Sequence, residues 1–199
     1  MLGRLSVTGG DRGPARPGGR DDAELLALIA QKDFRAFEAL YRAYHPRLSR
    51  FLINILRRPH LVEEVLNDAL MVVWRQPERY NGRSKVSTWI FAIAYRKALK
   101  ALRRQDEPVE DKDADLRPSG EVGPEQQLDR RQVQERLLSA INELSTAQRA
   151  VVDLTYFHEL GYREIAELMD CPVDTVKTRM FHARRHLKNK LPGRLADWL

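Results

Sequence analysis

The segment from Tyr162 to Lys188, YREIAELMDCPVDTVKTRMFHARRHLK, constrains the chain more than any other. Ile165, Leu168 and Met169 recur at helical spacing. Asp170-Cys171-Pro172 then interrupts the period, because proline cannot continue a helix and restricts the residue before it. A second period starts at once, with Val176, Met180, Ala183 and Leu187 along one face. Thr178, Phe181, His182 and Arg185 fall on the opposite face, with Lys177 and Lys188 at its margins. A short helix, a tight turn and a helix with one apolar and one basic face predict a helix-turn-helix. The second helix of such a motif enters a major groove, so the pattern points to DNA.

Charge agrees with an acidic polymer as partner. The formal net charge is +6 and the isoelectric point about 9.6. That balance alone does not separate DNA from RNA or an anionic membrane. The single cysteine, Cys171, excludes an internal disulfide and reads as a small apolar residue in the turn. No apolar run approaches the roughly 20 residues of a membrane span. The N-terminus lacks the apolar centre of a secretory signal, so a cytoplasmic protein without membrane insertion is expected.

The expected fold is all-α: two small helical domains joined by a flexible acidic linker, the C-terminal one containing the helix-turn-helix. Residues 1–20, rich in Gly, Pro and Arg, read as a disordered basic tail. Residues 21–104 read as the first helical domain. Asp21 or Asp22 is a candidate cap for its first helix. Phe34, Phe37, Leu40, Tyr41 and Tyr44 form one period, and Leu48, Phe51, Leu52 and Ile55 another after a break at Pro46. A helix is expected over Leu61 to Trp74, ended by Gln76-Pro77. After a polar loop, Ser87 or Thr88 is expected to cap a helix reaching Arg104. Residues 105–128 are acidic and rich in Pro and Gly, and read as the linker. Residues 129–191 read as the second domain, with Val133, Leu137, Leu138, Ile141 and Leu144 in period and Ser145 as the next cap. Residues 192–199 form a C-terminal tail.

Three blocks carry candidate functional residues. In the last helix, Lys177, Arg184, Arg185 and Lys188 suit phosphates, and Thr178, Phe181 and His182 suit base edges. An outward phenylalanine on a basic face is better explained by a thymine methyl or sugar contact than by solvation. In the helix with Trp89, the residues Arg96, Lys97, Lys100, Arg103 and Arg104 form a cationic stripe. It follows a loop with Tyr80, Asn81 and Lys85. A cationic track beside a loop able to hold an unstacked base suits single-strand binding, although an ordinary solvated face would show the same charges. The helix with Glu63, Glu64, Asn67 and Asp68, ending in Trp74 and Arg75, is badly placed for DNA and suits a protein partner or mere solubility.

Taken in order, VEEVLNDALMVVWRQPERY, STWIFAIAYRKAL and YREIAELMDCPVDTVKTRMFHARRHLK resemble an extracytoplasmic-function sigma factor of bacterial RNA polymerase. The resemblance covers about Asp33 to Arg104 and Asp129 to Leu191. It implies that Glu64, Asp68, Val72 and Arg75 dock on core RNA polymerase. It implies that Tyr80, Asn81, Lys85, Trp89, Arg96, Lys97 and Lys100 open and read the minus-ten element as single strand. It implies that Lys177, Thr178, Phe181, His182 and Arg185 read the minus-thirty-five element as duplex. Arg96 stands where many relatives carry asparagine, and Ala92 where an arginine is common. The resemblance further implies an anti-sigma factor as partner, and a response to stress or envelope signals.

No nucleotide loop, metal-ligand cluster or nucleophile-base pair is recognisable, so no enzyme, cofactor or metal is expected. The alternative is an autonomous helix-turn-helix regulator with a sensing or dimerising N-terminal domain. A helical nuclease binding metal through the acids of Asp106 to Asp115 is a third possibility, weakened because a flexible segment does not preorganise a metal site.

Overall fold

The computed structural model describes residues 20–105 and 137–191, all built from helices and short connections. The expected tail up to residue 19, the linker over 106–128, the start of the second domain with Val133, and the tail from 192 lie outside the described residues. The acids from Asp106 to Asp115 lie outside them as well.

The first unit comprises α1 (Arg20–Ala30), α2 (Phe34–Leu56), α3 (Pro59–Arg75) and α4 (Val86–Gln105), with a 3-10 turn at Pro77–Arg79. Asp33 starts α2, its Oδ1 accepting from the backbone N–H groups of Arg35 at 2.8 Å and Ala36 at 3.1 Å. Contrary to the expected break, α2 runs unbroken through Pro46. Pro46 is exposed, so its ring stands away from the core while every fourth residue around it is buried. Leu40, Tyr44, Leu48, Phe51, Leu52 and Ile55 are fully inaccessible. Burying such a side chain stabilises by roughly 1.5–3 kcal/mol, which outweighs one missing backbone hydrogen bond.

Two expected caps are also corrected. Helix α1 already begins at Arg20, and Asp22 is buried inside it, accepting from the Tyr44 hydroxyl. Burial first, then the Asp22 carboxylate, pushes the Tyr44 phenol well above its ordinary range. Helix α4 begins at Val86, so Ser87 and Thr88 lie within its first turn and face the interior. The Lys85 carbonyl instead receives the Trp89 N–H at 3.1 Å.

The second unit comprises α5, described over 137–142, then α6 (Thr146–Tyr156), α7 (Tyr162–Met169) and α8 (Val173–Lys190). Ser145 is the cap of α6 as expected. Its hydroxyl accepts from the Gln148 N–H, and the Gln148 side chain accepts from the Ser145 N–H, a reciprocal capping box. Asp170 ends α7 in the left-handed region at φ 51°, and the turn Cys171-Pro172 leads into α8. Val176, Met180, Ala183 and Leu187 are buried, as the period predicts.

The two units do not stand apart. Helix α6 packs on α2, and α7 packs on α4, so buried residues of both units form one continuous apolar cluster. His158, after α6, lies 4.5 Å from the Phe91 ring and 6.0 Å from the Phe51 ring, between centroids. The sequence pattern identifies which faces are buried but not that some are buried against the other unit.

Candidate nucleic-acid interface

Helix α8 presents an open, cationic face. Lys177, Thr178, Phe181, His182 and Arg185 are all exposed, and Phe181 is 61% exposed. The Phe181 and His182 rings meet edge to face at 5.5 Å, which holds a flat apolar tip at the helix surface. Lys177 is paired with Asp174 at 2.9 Å across one helical turn, an exposed pair that a phosphate could replace at little cost. A shallow cleft beside this face is lined by Tyr162, Lys177, Met180, Phe181, Arg184, Arg185 and Lys188. Arg184 is anchored away from the tip: its Nε donates to the Tyr156 hydroxyl at 3.2 Å, and its guanidinium lies 5.8 Å from the Tyr156 ring.

The loop before α4 is built by an Asn-Gly turn. Gly82 has φ +72°, a region side chains other than glycine rarely adopt, and the Asn81 Oδ1 accepts from the Arg83 N–H at 3.0 Å. Tyr80 folds back, its hydroxyl donating to the Ser84 carbonyl, and its ring lies 5.5 Å from Trp89. Both aromatics are half-buried. Arg96 and Lys100 are exposed on α4. Lys97 instead donates to Asp68 of α3 at 2.9 Å, joining two residues that the sequence reading assigned to different partners. Ala92 is buried in the packed interior of this chain.

Helix α3 turns Glu63, Glu64, Asn67, Asp68 and Arg75 outward, with Val72 half-buried between them. At its C-terminal end Trp74 joins an aromatic group with Phe34 and Phe37, two residues whose sequence pattern shows only a helical period. Phe34 is 65% exposed and meets Trp74 at 6.2 Å and Phe37 at 6.5 Å, and Lys32 lies 5.5 Å from the Trp74 ring.

Residues 40–107 match the sigma-70 region 2 family model, and residues 134–187 match the model of sigma-70 region 4. The chain belongs to the extracytoplasmic-function sigma factors. It is similar to the ECF RNA polymerase sigma-E factor of Haemophilus influenzae, 28% identical over 85% of this chain and 95% of that one. It is similar, too, to the ECF RNA polymerase sigma factor RpoE of Cereibacter sphaeroides, 29% identical over 85% and 93%. Among solved structures, CnrH in complex with the cytosolic domain of CnrY shares the fold at a TM-score of 0.63, with 21% identity over 85% of this chain and 96% of that one. The Bartonella quintana RpoE, solved with the anti-sigma factor NepR, shares it at 0.61, with 22% identity over 77% and 95%.

In this sigma factor Lys85, from the region 2 loop, forms an ion pair with Glu164 of α7 at 2.8 Å. The Glu164 Oε2 also accepts from the Gly161 N–H at 3.0 Å and so closes the start of α7. Burial raises the Glu164 carboxyl, but the Lys85 hydrogen bond, the Gly161 N–H and the Lys85 charge together hold it below its ordinary value. Sequence reasoning did not find Glu164, because its one visible signal was a capping position. Among the described residues no group of three or more His, Cys, Asp or Glu side chains could hold a metal, and no helix is long and apolar enough to cross a membrane.

Proposed function

We propose that this sigma factor uses α8 to read the minus-thirty-five element as duplex, through Lys177, Thr178, Phe181, His182 and Arg185. The observation that carries this reading is the exposed Phe181–His182 edge flanked by cations on the second helix of the motif. The loop and α4, with Tyr80, Asn81, Lys85, Trp89, Arg96, Lys97 and Lys100, capture the opened minus-ten strand. Their support is the Tyr80–Trp89 platform beside exposed cations, which suits base stacking worth roughly 1–3 kcal/mol per base. Glu64, Asp68, Val72 and Arg75 on α3 dock on core RNA polymerase. The outward acids of that helix, the exposed Phe34 and the half-buried Trp74 beside it fit a protein surface better than DNA.

The protein works in the cytoplasm as a non-catalytic initiation subunit, and an anti-sigma factor restrains it until a stress or envelope signal arrives. The Bartonella quintana RpoE solved with the anti-sigma factor NepR supports that regulation. In vitro transcription with core polymerase across a genomic library tests the reading and returns both promoter elements. Tight binding of promoter duplex by the chain alone, with no association with core polymerase, would establish the autonomous regulator instead.

A further inference from the structure

We propose that Tyr156 is a positioning residue for promoter binding: it holds the Arg184 guanidinium as a clamp on a backbone phosphate of the minus-thirty-five duplex and so helps fix how α8 lies on the DNA, a role that rests on the reading of α8 given above.

Tyr156 is the last residue of α6, outside the helix-turn-helix, and is half-buried. Helix α6 packs on α8, which brings Tyr156 beside a residue 28 positions further along the chain. The Arg184 Nε donates to the Tyr156 hydroxyl at 3.2 Å, and the guanidinium carbon lies 5.8 Å from the centre of the Tyr156 ring. The hydroxyl thus takes one N–H of the fork while the ring supports it by a cation–π contact. The Nη1 and Nη2 groups keep their N–H donors without a partner among the described residues.

A second arginine of the same unit shows the contrast. Arg149 of α6 is buried, its Nε donating to the Asn54 carbonyl of α2 at 3.0 Å, and Asp153 beside it accepts from the Asn54 amide. Packing consumes the donors of Arg149. Arg184 is exposed, and the contact with Tyr156 orients it without using it up. A long side chain loses rotamer freedom when it settles on a phosphate. Arg184 has lost part of that freedom before DNA arrives, so less is lost on binding.

The place of Arg184 on α8 selects phosphate rather than base. At about 100° per residue, Lys177, Arg184 and Lys188 lie roughly a quarter-turn round the helix from Thr178, His182 and Arg185. A helix seated in a major groove has base edges beneath it and a sugar-phosphate strand along each wall. A row on its flank therefore faces a wall. No carboxylate lines the cleft along this flank, which is formed by Tyr162, Lys177, Phe181, Arg184 and Lys188 among others. The planar fork of an arginine matches two oxygens of one phosphate. Such a contact fixes register and orientation and carries no sequence information itself. Because Tyr156 belongs to α6, the body of region 4 and not the motif alone sets the angle at which the Phe181 tip meets the groove.

The test uses holoenzyme assembled from the full chain and core RNA polymerase, on a strong promoter recovered by the genomic-library transcription. Binding of the unopened duplex is measured across a series of KCl concentrations. Arg184→Met is expected to weaken it about tenfold at low salt and to reduce the slope of log affinity against log salt by about 0.9, the share of one phosphate. The loss should be the same factor on promoters altered within the minus-thirty-five element, whereas the loss in Phe181→Ala should differ among them. Tyr156→Phe keeps the ring and removes the hydroxyl. It should weaken binding about threefold with the salt slope unchanged, and add nothing in the Arg184→Met background. Arg184→Lys keeps the charge without Nε, and should restore the slope but not the affinity. An unchanged slope in Arg184→Met overturns the clamp. A Tyr156→Phe loss that persists in the Arg184→Met background, or no loss in either, overturns the positioning role. Phe181→Ala binding every promoter normally while Arg184→Met loses slope would overturn base reading by α8 and leave the clamp standing.

Discussion

The two surfaces proposed to read promoter DNA differ in readiness. On α8 the Phe181–His182 edge and its cations stand in solvent, with only the exposed Lys177–Asp174 pair to exchange. In the loop before α4 and on α4 itself, Lys85 is held by Glu164, Lys97 by Asp68, and Tyr80 lies against Trp89. Duplex is a rigid target whose edges are already displayed, so a preformed helix face suffices. An opened strand exists only after base pairs break, so a surface that captures it can remain engaged elsewhere until then. The contrast teaches that the second surface is controlled by its neighbours and the first is not.

The sharpest way to break the comparison is to remove what both surfaces share. Phe91→Ala takes a fully buried ring from beneath His158 and Phe51, and is expected to cost about 3–5 kcal/mol in denaturant unfolding. A loss under 1 kcal/mol would show that the units do not share a packed core. Next comes Phe181→Ala, which touches only the ready surface. A weakening of minus-thirty-five recognition by roughly 1–3 kcal/mol is expected, read as the shift in promoter concentration needed for half-maximal transcription, with unchanged melting temperature. Lys100→Ala belongs to the other surface and should slow promoter opening more than it weakens the initial duplex complex. Equal effects on both steps would erase the distinction between the two readers.

Smaller effects refine it. Ser145→Ala removes the capping box of α6 and should cost about 1 kcal/mol in thermal unfolding. Glu164→Gln should lower docking by at most about 1 kcal/mol, because Lys85 is largely exposed. Glu164 also gives the contact a pH dependence. Its carboxyl is held below the usual 4.5 in the docked chain, so it stabilises docking above that value and the contribution disappears as pH falls through its lowered value. Energy transfer between the units should therefore drop on acidification below about 4.5 and do so less in Glu164→Gln. An identical acid response in both would remove Glu164 from the contact.

Much of the candidate site was legible because helical period separates faces. Val176, Met180, Ala183 and Leu187 are buried and Thr178, Phe181 and His182 exposed, as their spacing implies. Ser145 was legible because capping is local chemistry within three residues. Pro46 misled because a proline on an outward face can be absorbed when the residues around it are deeply packed. Ser87 and Thr88 misled because they have the chemistry of a cap but point inward. Arg149 and Asp153 had no signal at all, and Glu164 only that of a capping position: a charged residue in an amphipathic pattern reads as solvated, and only a partner distant in sequence gives it another meaning.

By itself, then, the sequence determined the all-helical character, the helix-turn-helix with its basic outer face, and the order of the three blocks that mark the sigma family, since each follows from contacts within a few residues. Only the tertiary structure decided that region 4 docks on region 2, that Lys85 is tied to Glu164, and that Arg149 caps a helix some 95 residues away in the chain. Those are meetings between distant segments, and periodicity records which side of a helix is buried without recording what buries it.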